Sequence, residues 1–287
     1  MAGAQPREQA LPLLAAANNH GDLAVKLSSL KQAKDILLSV EPSQAAELFP
    51  YLVELQSSPE TLVRKYLLEV IDEIGARTRE HLSILLPVLL TFLKDNNPVI
   101  SKQSIVTGTK IFCIVLEELA FQFQRRGIVE RWLEELWTWM IKFRDAVLGI
   151  IFEAGSVGPK LLAIKFLERY VLHFTLDSND LGTYSPEVMI RQGRIFNISW
   201  IMDGHPVLDP PALVADANRF LGILLDMLRS ASNFPGSLTI AVVNRMFGDI
   251  IFLATYNCGH TVQFFNVELN GSLPGTAELV VQIREVS

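Results

Sequence analysis

Apolar residues recur along this chain at the spacing of one helical face, segment after segment. Over residues 59–75 the apolar positions are Leu62, Val63, Tyr66, Leu67, Val70, Ile71 and Ile74, one side of a 3.6-residue helix. Pro59 and Glu60 precede them, a residue tolerated in a first turn and a charge that complements the helix dipole. Residues 79–94 carry Leu82, Leu85, Leu86, Leu89, Leu90 and Leu93, and stop at Asp95-Asn96-Asn97-Pro98, a strong helix breaker. A third helix is predicted over 98–123. The clearest stripe, over 128–153, runs Val129, Trp132, Leu133, Leu136, Trp137, Met140, Ile141, Val147, Leu148 and Ile151, with Arg131 and Glu135 placed to pair on the outer face. Further helices are predicted over 22–40, 43–56, 159–175, 211–230 and 235–257, with Ser43 and Glu47 as a start signal. The strict two-residue alternation of a strand is missing from all of these.

The helices come in pairs, and the second member of each pair opens alike. Pro59-Glu60-Thr61-Leu62-Val63-Arg64-Lys65 compares with Pro98-Val99-Ile100-Ser101-Lys102 and with Gly158-Pro159-Lys160-Leu161. The first two openings are offset by about 37–39 residues, within or close to the range of helical-pair repeats. Such pairs bury their inner faces against neighbouring pairs. The predicted fold class is therefore all-α, a HEAT-like α-α superhelix, or solenoid of antiparallel helix pairs. The expected organisation is an N-terminal segment (1–20), helix-pair repeats (21–175), a long loop (176–210), a further helical repeat (211–268) and a divergent tail (269–287). The loop is bounded by Asp177-Ser178-Asn179-Asp180 and by His205-Pro206 with Pro210-Pro211, and a loop of that length is usually functional. In the tail, Gly271, Pro274 and Gly275 precede β-branched Val280, Val281, Ile283 and Val286.

Composition narrows the classes. With 287 residues and 49% hydrophobic content, a sizeable core is expected and general disorder is excluded. A net charge of −6 argues against a nucleic-acid coat but leaves room for a local basic patch. Two cysteines, Cys113 and Cys258, cannot build a disulfide framework. The run 82–93 is broken by Pro87 and is too short to span a bilayer, and residues 11–17 make a poor signal-peptide core after Arg7 and Glu8. A soluble intracellular protein without membrane partners is expected.

Motifs for chemistry are missing. Gly108-Thr109-Lys110 lacks the upstream glycine of a phosphate loop, and no dinucleotide, zinc-protease or nucleophile-elbow motif occurs. Cys258-Gly259-His260 has no second ligand pair nearby. Asp177, Asn179 and Gly182 echo a calcium loop that Leu181 and Val188 spoil. The acid pairs Asp72-Glu73, Glu117-Glu118 and Glu134-Glu135 fall on polar helix faces and are expected to be solvated. Trp132, Trp137 and Trp139 suggest stacking of bases, but Trp132 and Trp137 belong to the apolar stripe, so core packing is expected. No catalytic residue, metal site or cofactor is predicted. One constellation suggests binding. Lys165, Arg169 and His173 are spaced i, i+4, i+8. On the corresponding earlier helices stand Lys102 and Lys110, and Arg64 and Lys65. If second helices line one face of a solenoid, these cations form a basic ridge for a partner.

Val63-Arg64-Lys65-Tyr66, the acid-rich continuation 69–74, Ala163-Ile164-Lys165-Phe166 with Glu168, the break before Pro98 and His205-Pro206 together resemble the symplekin N-terminal domain family, by order and spacing, over about residues 20–265. The resemblance implies a HEAT domain of a non-catalytic nuclear scaffold for pre-mRNA 3′-end cleavage and polyadenylation. It implies binding of a phosphatase of the RNA polymerase II C-terminal domain, partnership with cleavage and polyadenylation factors, and only indirect contact with RNA. Family members are much longer, so it also implies a shortened form. The residues alone leave open a HEAT adaptor of another complex, such as a phosphatase scaffold or transport subunit, and a direct RNA-binding solenoid.

Overall fold

The computed structural model describes residues 6–175, 196–230, 235–245, 263–270 and 278–284. Two compact units divide the chain, residues 1–118 with 129–152 and residues 119–128 with 153–287. Both are built mainly of packed helices, the second with one two-stranded hairpin, and the fold class is all-α, HEAT-like.

In the first unit, α1 (Pro6–Asn19) and α2 (Leu23–Ser39) are joined by three residues and pack together, a connection so short that the two run antiparallel. The Asp22 carboxylate caps α2 by accepting from the Ala24 amide at 2.8 Å. The expected N-terminal segment is thus itself a helix, with Ala10, Leu14 and Ala17 buried. Next come α3 (Pro42–Ala46) and α4 (Phe49–Glu54), then α5 (Thr61–Arg77). Ser43 is not the start signal of α3; Glu41 precedes it and Pro42 occupies the first turn. α6 (Leu86–Leu93) is shorter than the stripe over 79–94 suggested. Pro87 fits only a first turn, so the earlier leucines enter through a 3-10 turn, Leu82–Ile84. α7 (Pro98–Arg126) follows, and α8 (Arg131–Phe152) completes the unit.

Buried hydroxyls bind α7 to α6. Ser101 donates to the Leu93 carbonyl at 3.0 Å and Ser104 to that of Leu89 at 2.7 Å, which satisfies acceptors that water cannot reach. Gly108 has a packing role. A Cβ there would sit 2.2 Å from the ring of Phe143 on α8, and Phe143 is fully buried.

Second helices lie beside one another with a nearly constant offset. Thr61 on α5 meets Asn97, 36 residues on, at the mouth of α7. Farther along, Asp72 meets Lys110 (38 apart) and Lys34 of α2 meets Glu73 (39 apart). Antiparallel neighbours would lose two from their separation for every residue advanced; here it rises instead, from 34 at Lys26–Glu60 to 39 at Lys34–Glu73, so α2, α5 and α7 run parallel.

The second unit holds the last turns of α7, then α9 (Val157–His173), a 3-10 turn at Ile198–Trp200, α10 (Pro210–Arg229) and α11 (Gly236–Arg245). Tyr170 of α9 packs its ring 4.6 Å from Phe174 and 4.8 Å from Phe220 of α10. Phe196 and Trp200 extend this aromatic core, so the described part of the expected long loop is packed down. His205 is the strap. Its Nδ1 accepts from the amides of Val207 and Leu208 at 3.1 and 2.9 Å, and its Nε2 donates to the Leu119 carbonyl at 3.2 Å.

Residues 263–268, expected within a helical repeat, instead begin a strand. β1 (Gln263–Asn270) pairs antiparallel with β2 (Glu278–Arg284), which contains Val280, Val281 and Ile283. Residues 177–182 and the Cys258–His260 stretch lie outside the described residues, as does the expected helix beyond residue 245.

Substituting Gly108→Ala should lower unfolding stability by about 1–3 kcal/mol, because the methyl drives Phe143 from its place. Urea denaturation of the two proteins measures it, and equal midpoints would contradict the close packing.

Candidate partner-binding surface

The six cations expected to form a ridge have different fates. Arg64, near the start of α5, is largely withdrawn from solvent. Its Nε donates to Asp95 Oδ2 at 2.9 Å, and one terminal nitrogen donates to the carbonyls of Ser58 and Pro59 at 2.6 and 3.1 Å. It clasps the entry of α5 to the turn before α7 and has little left to offer a partner. Lys65 stands 3.6 Å from Glu69, one turn along the same helix. Lys110 reaches Asp72 of α5, with Nζ 2.6 Å from Oδ2. Lys102, exposed on α7, makes no ion pair among the described residues.

The first unit therefore carries a ladder of alternating charge where a basic ridge was expected. Lys34 bonds Glu73 at 2.7 Å, and that bond raises the lysine's pKa despite partial burial. Arg79 pairs with Glu118. Beside it Glu117 is half-buried, and burial pushes its carboxyl upward against the opposing pull of Arg79. Asp72, Glu73 and Glu118, expected to be merely solvated, are the partners of these cations. The sequence does hold the signal that finds them. Opposite charges 38–39 residues apart, one repeat offset, face each other across neighbouring second helices.

α9 behaves differently. Pro159, Ala163, Ile164, Phe166, Leu167, Tyr170 and Val171 are all buried, so most of its circumference is committed to the core. Lys165 and Arg169 emerge on the strip that remains, exposed and one turn apart, with no ion pair among the described residues. Their neighbour by spacing, His173, is not on that strip. It is fully buried and its Nδ1 lies 2.8 Å from the Phe196 carbonyl. Burial lowers its pKa to about 4, the carbonyl resists that shift, and the charge of Arg169 adds to it. Eight residues of helix drift by about 80° from the starting direction at 3.6 residues per turn, enough to carry the ring into the core.

Among the described residues, no group of three or more His, Cys, Asp or Glu is placed to hold a metal ion, and no helix is long and apolar enough to cross a membrane. Trp137 is buried, whereas Trp132 is half-buried with its indole N–H directed to Glu130.

A family model for the symplekin/PTA1 N-terminal domain matches residues 97–248, more than half of the chain. The chain belongs to that family. The match opens at the turn before α7, so Lys102, Lys110, Lys165 and Arg169 fall within it, and Arg64 and Lys65 precede it. Membership in the symplekin family carries a scaffold role in mRNA 3′-end processing, in association with other processing factors.

His173 supplies a pH test of this geometry. Its folded-state pKa lies below the unfolded value of about 6.5, so the unfolded chain binds more protons as pH falls. The contribution is complete above pH 6.5 and declines as pH drops toward 4, by up to about 3 kcal/mol. Chemical denaturation from pH 7 to pH 4 should show that slope reduced in His173→Asn, whose amide can still donate to Phe196. An identical slope in both proteins would contradict a buried neutral imidazole.

Proposed function

We propose that this chain is a non-catalytic, nuclear scaffold of pre-mRNA 3′-end cleavage and polyadenylation that binds a phosphatase of the RNA polymerase II C-terminal domain through the exposed strip of α9. One observation carries the reading: Lys165 and Arg169 are the exposed residues of α9, whose other positions are buried or half-buried, and neither is neutralised by an ion pair among the described residues. Two cations on so rigid a support lose little conformational freedom when they meet carboxylates on a docked protein. Their contribution is chiefly to register and association rate, while adjoining apolar contacts supply much of the affinity. Dephosphorylation belongs to the bound enzyme, which the scaffold positions. Of the four ridge cations in the first unit, Lys102 is the one without an ion pair among the described residues, and it is open to the same class of partner. Arg64 is withdrawn into its clasp, and Lys65 and Lys110 are compensated by Glu69 and Asp72.

Direct RNA binding draws less support. Counterion release needs several uncompensated cations, whereas Lys34, Lys65 and Lys110 each face an acid. RNA is reached through the associated processing factors.

Lys165→Glu should weaken the phosphatase complex by about 1–3 kcal/mol, since repulsion replaces a pair. The fold should be unaffected, because the side chain lies outside the core. Isothermal titration calorimetry reads the affinity and circular dichroism the fold. Unchanged affinity in a folded variant would remove this strip from the interface.

A further inference from the structure

The amphipathic helix α8 has an anomaly on its outer face. Glu135, Thr138, Trp139 and Lys142 share one side of it by spacing, and all but Trp139 are exposed. An outward face of that kind normally carries only groups that water solvates well. Trp139 is half-buried, and with the 3-10 turn Leu82–Ile84 it lines a surface groove of about 290 Å³, together with Ser83, Ile84, Glu135, Thr138 and Lys142. Ile84 on the rim is 39% exposed.

Charges in this groove are unequal in their commitments. Glu135 is engaged by Arg131, 3.4 Å away on the preceding turn. Lys142 has no ion pair among the described residues. Its ammonium lies 4.2 Å from the centroid of the Trp139 ring, so the indole face holds it by cation–π attraction. The groove therefore offers the apolar surfaces of Ile84 and Trp139, the hydroxyls of Ser83 and Thr138, and one cation without a carboxylate among the described residues. Its volume matches the lower end of small-ligand pockets, enough for one large side chain and too little for a folded surface. Tryptophan is also the residue most enriched among side chains that dominate binding energy.

We infer that this face of α8 is a docking site for a short extended peptide segment with a bulky apolar side chain flanked by carboxylates. The apolar group lies against Ile84 and Trp139, and a neighbouring acid pairs with Lys142. The site shares no residue with the α9 strip and does not depend on the phosphatase reading.

Fluorescence polarisation tests the inference on the full chain, with dye-labelled Asp-Asp-Leu-Phe-Asp as the probe and Lys-Lys-Leu-Phe-Lys as its counterpart. The acidic peptide should bind at least about tenfold tighter than the basic one. Lys142→Glu should reverse the preference. Trp139→Ala should weaken acidic binding by about fivefold or more. Because Trp139 is partly packed, Ile84→Asp provides a second variant at an exposed turn, and it should weaken acidic binding comparably. Absence of saturable binding by the acidic peptide up to about 1 mM would overturn the inference. So would an affinity indifferent to both Lys142→Glu and Ile84→Asp in folded proteins, or a preference for the basic peptide in the unaltered chain.

Discussion

Everything in the first unit depends on one geometric constraint, the near-constant offset at which second helices lie side by side. A helix with a single apolar stripe cannot bury it alone. α2, α5 and α7 solve this by running parallel, each displaced from the last by one helix pair. The same displacement brings Lys34 to Glu73 and Asp72 to Lys110. Such exposed or half-exposed pairs stabilise little on their own. Their effect is to specify register, since a slip of one residue would turn each partner away and set Gly75 out of line with Ile111, which it approaches closely. At Gly108 the same demand for contact excludes even a methyl group.

Helix existence and inner faces were legible in the sequence because burial enforces the 3.6-residue period. Val63, Leu67, Val70, Ile71 and Ile74 of α5 are buried, as their spacing predicts, whereas Leu62 of the same predicted stripe is 52% exposed. Boundaries were less legible wherever proline chemistry competes with hydrophobic pattern, as at Pro42 and Pro87. The strand at 263–270 was missed although Phe265–Asn270 alternate apolar and polar residues, because the expected helical repeat extends over 211–268 and the pairing with 278–284 is a non-local property. The ridge was only partly legible. Lys165 and Arg169 emerge on one strip, but His173 drifts off it into the core, and Arg64 turns inward to Asp95. Periodicity says which face a residue occupies; it does not say what the neighbouring element presents. For Lys65 and Lys110 the neighbour is an acid.

These distinctions bear directly on what a symplekin-family chain can do. A scaffold needs docking groups that are held in place and still unspent. The ladder in the first unit fails the second condition, since its charges are mutually satisfied, and it serves the array. On α9 both conditions hold. The aromatic core of Tyr170, Phe174, Phe196 and Phe220 immobilises the helix, and its two outward cations are left without compensation among the described residues. Even His205-Pro206, one of the short motifs by which the chain resembles its family, is structural: the imidazole fastens its own turn to the Leu119 carbonyl.

The most direct measurement of the central claim is lysine footprinting of the intact chain with a small acetylating reagent, with and without the polymerase-tail phosphatase. Mass spectrometry then gives the reactivity of each lysine. Lys165 and Lys142 are both exposed in the free protein, yet the account places only Lys165 under the enzyme. Phosphatase should suppress labelling of Lys165 several-fold and leave Lys142 and Lys31 unchanged. Equal labelling of Lys165 in the free chain and in a saturated complex would contradict the assignment of α9 as the docking face.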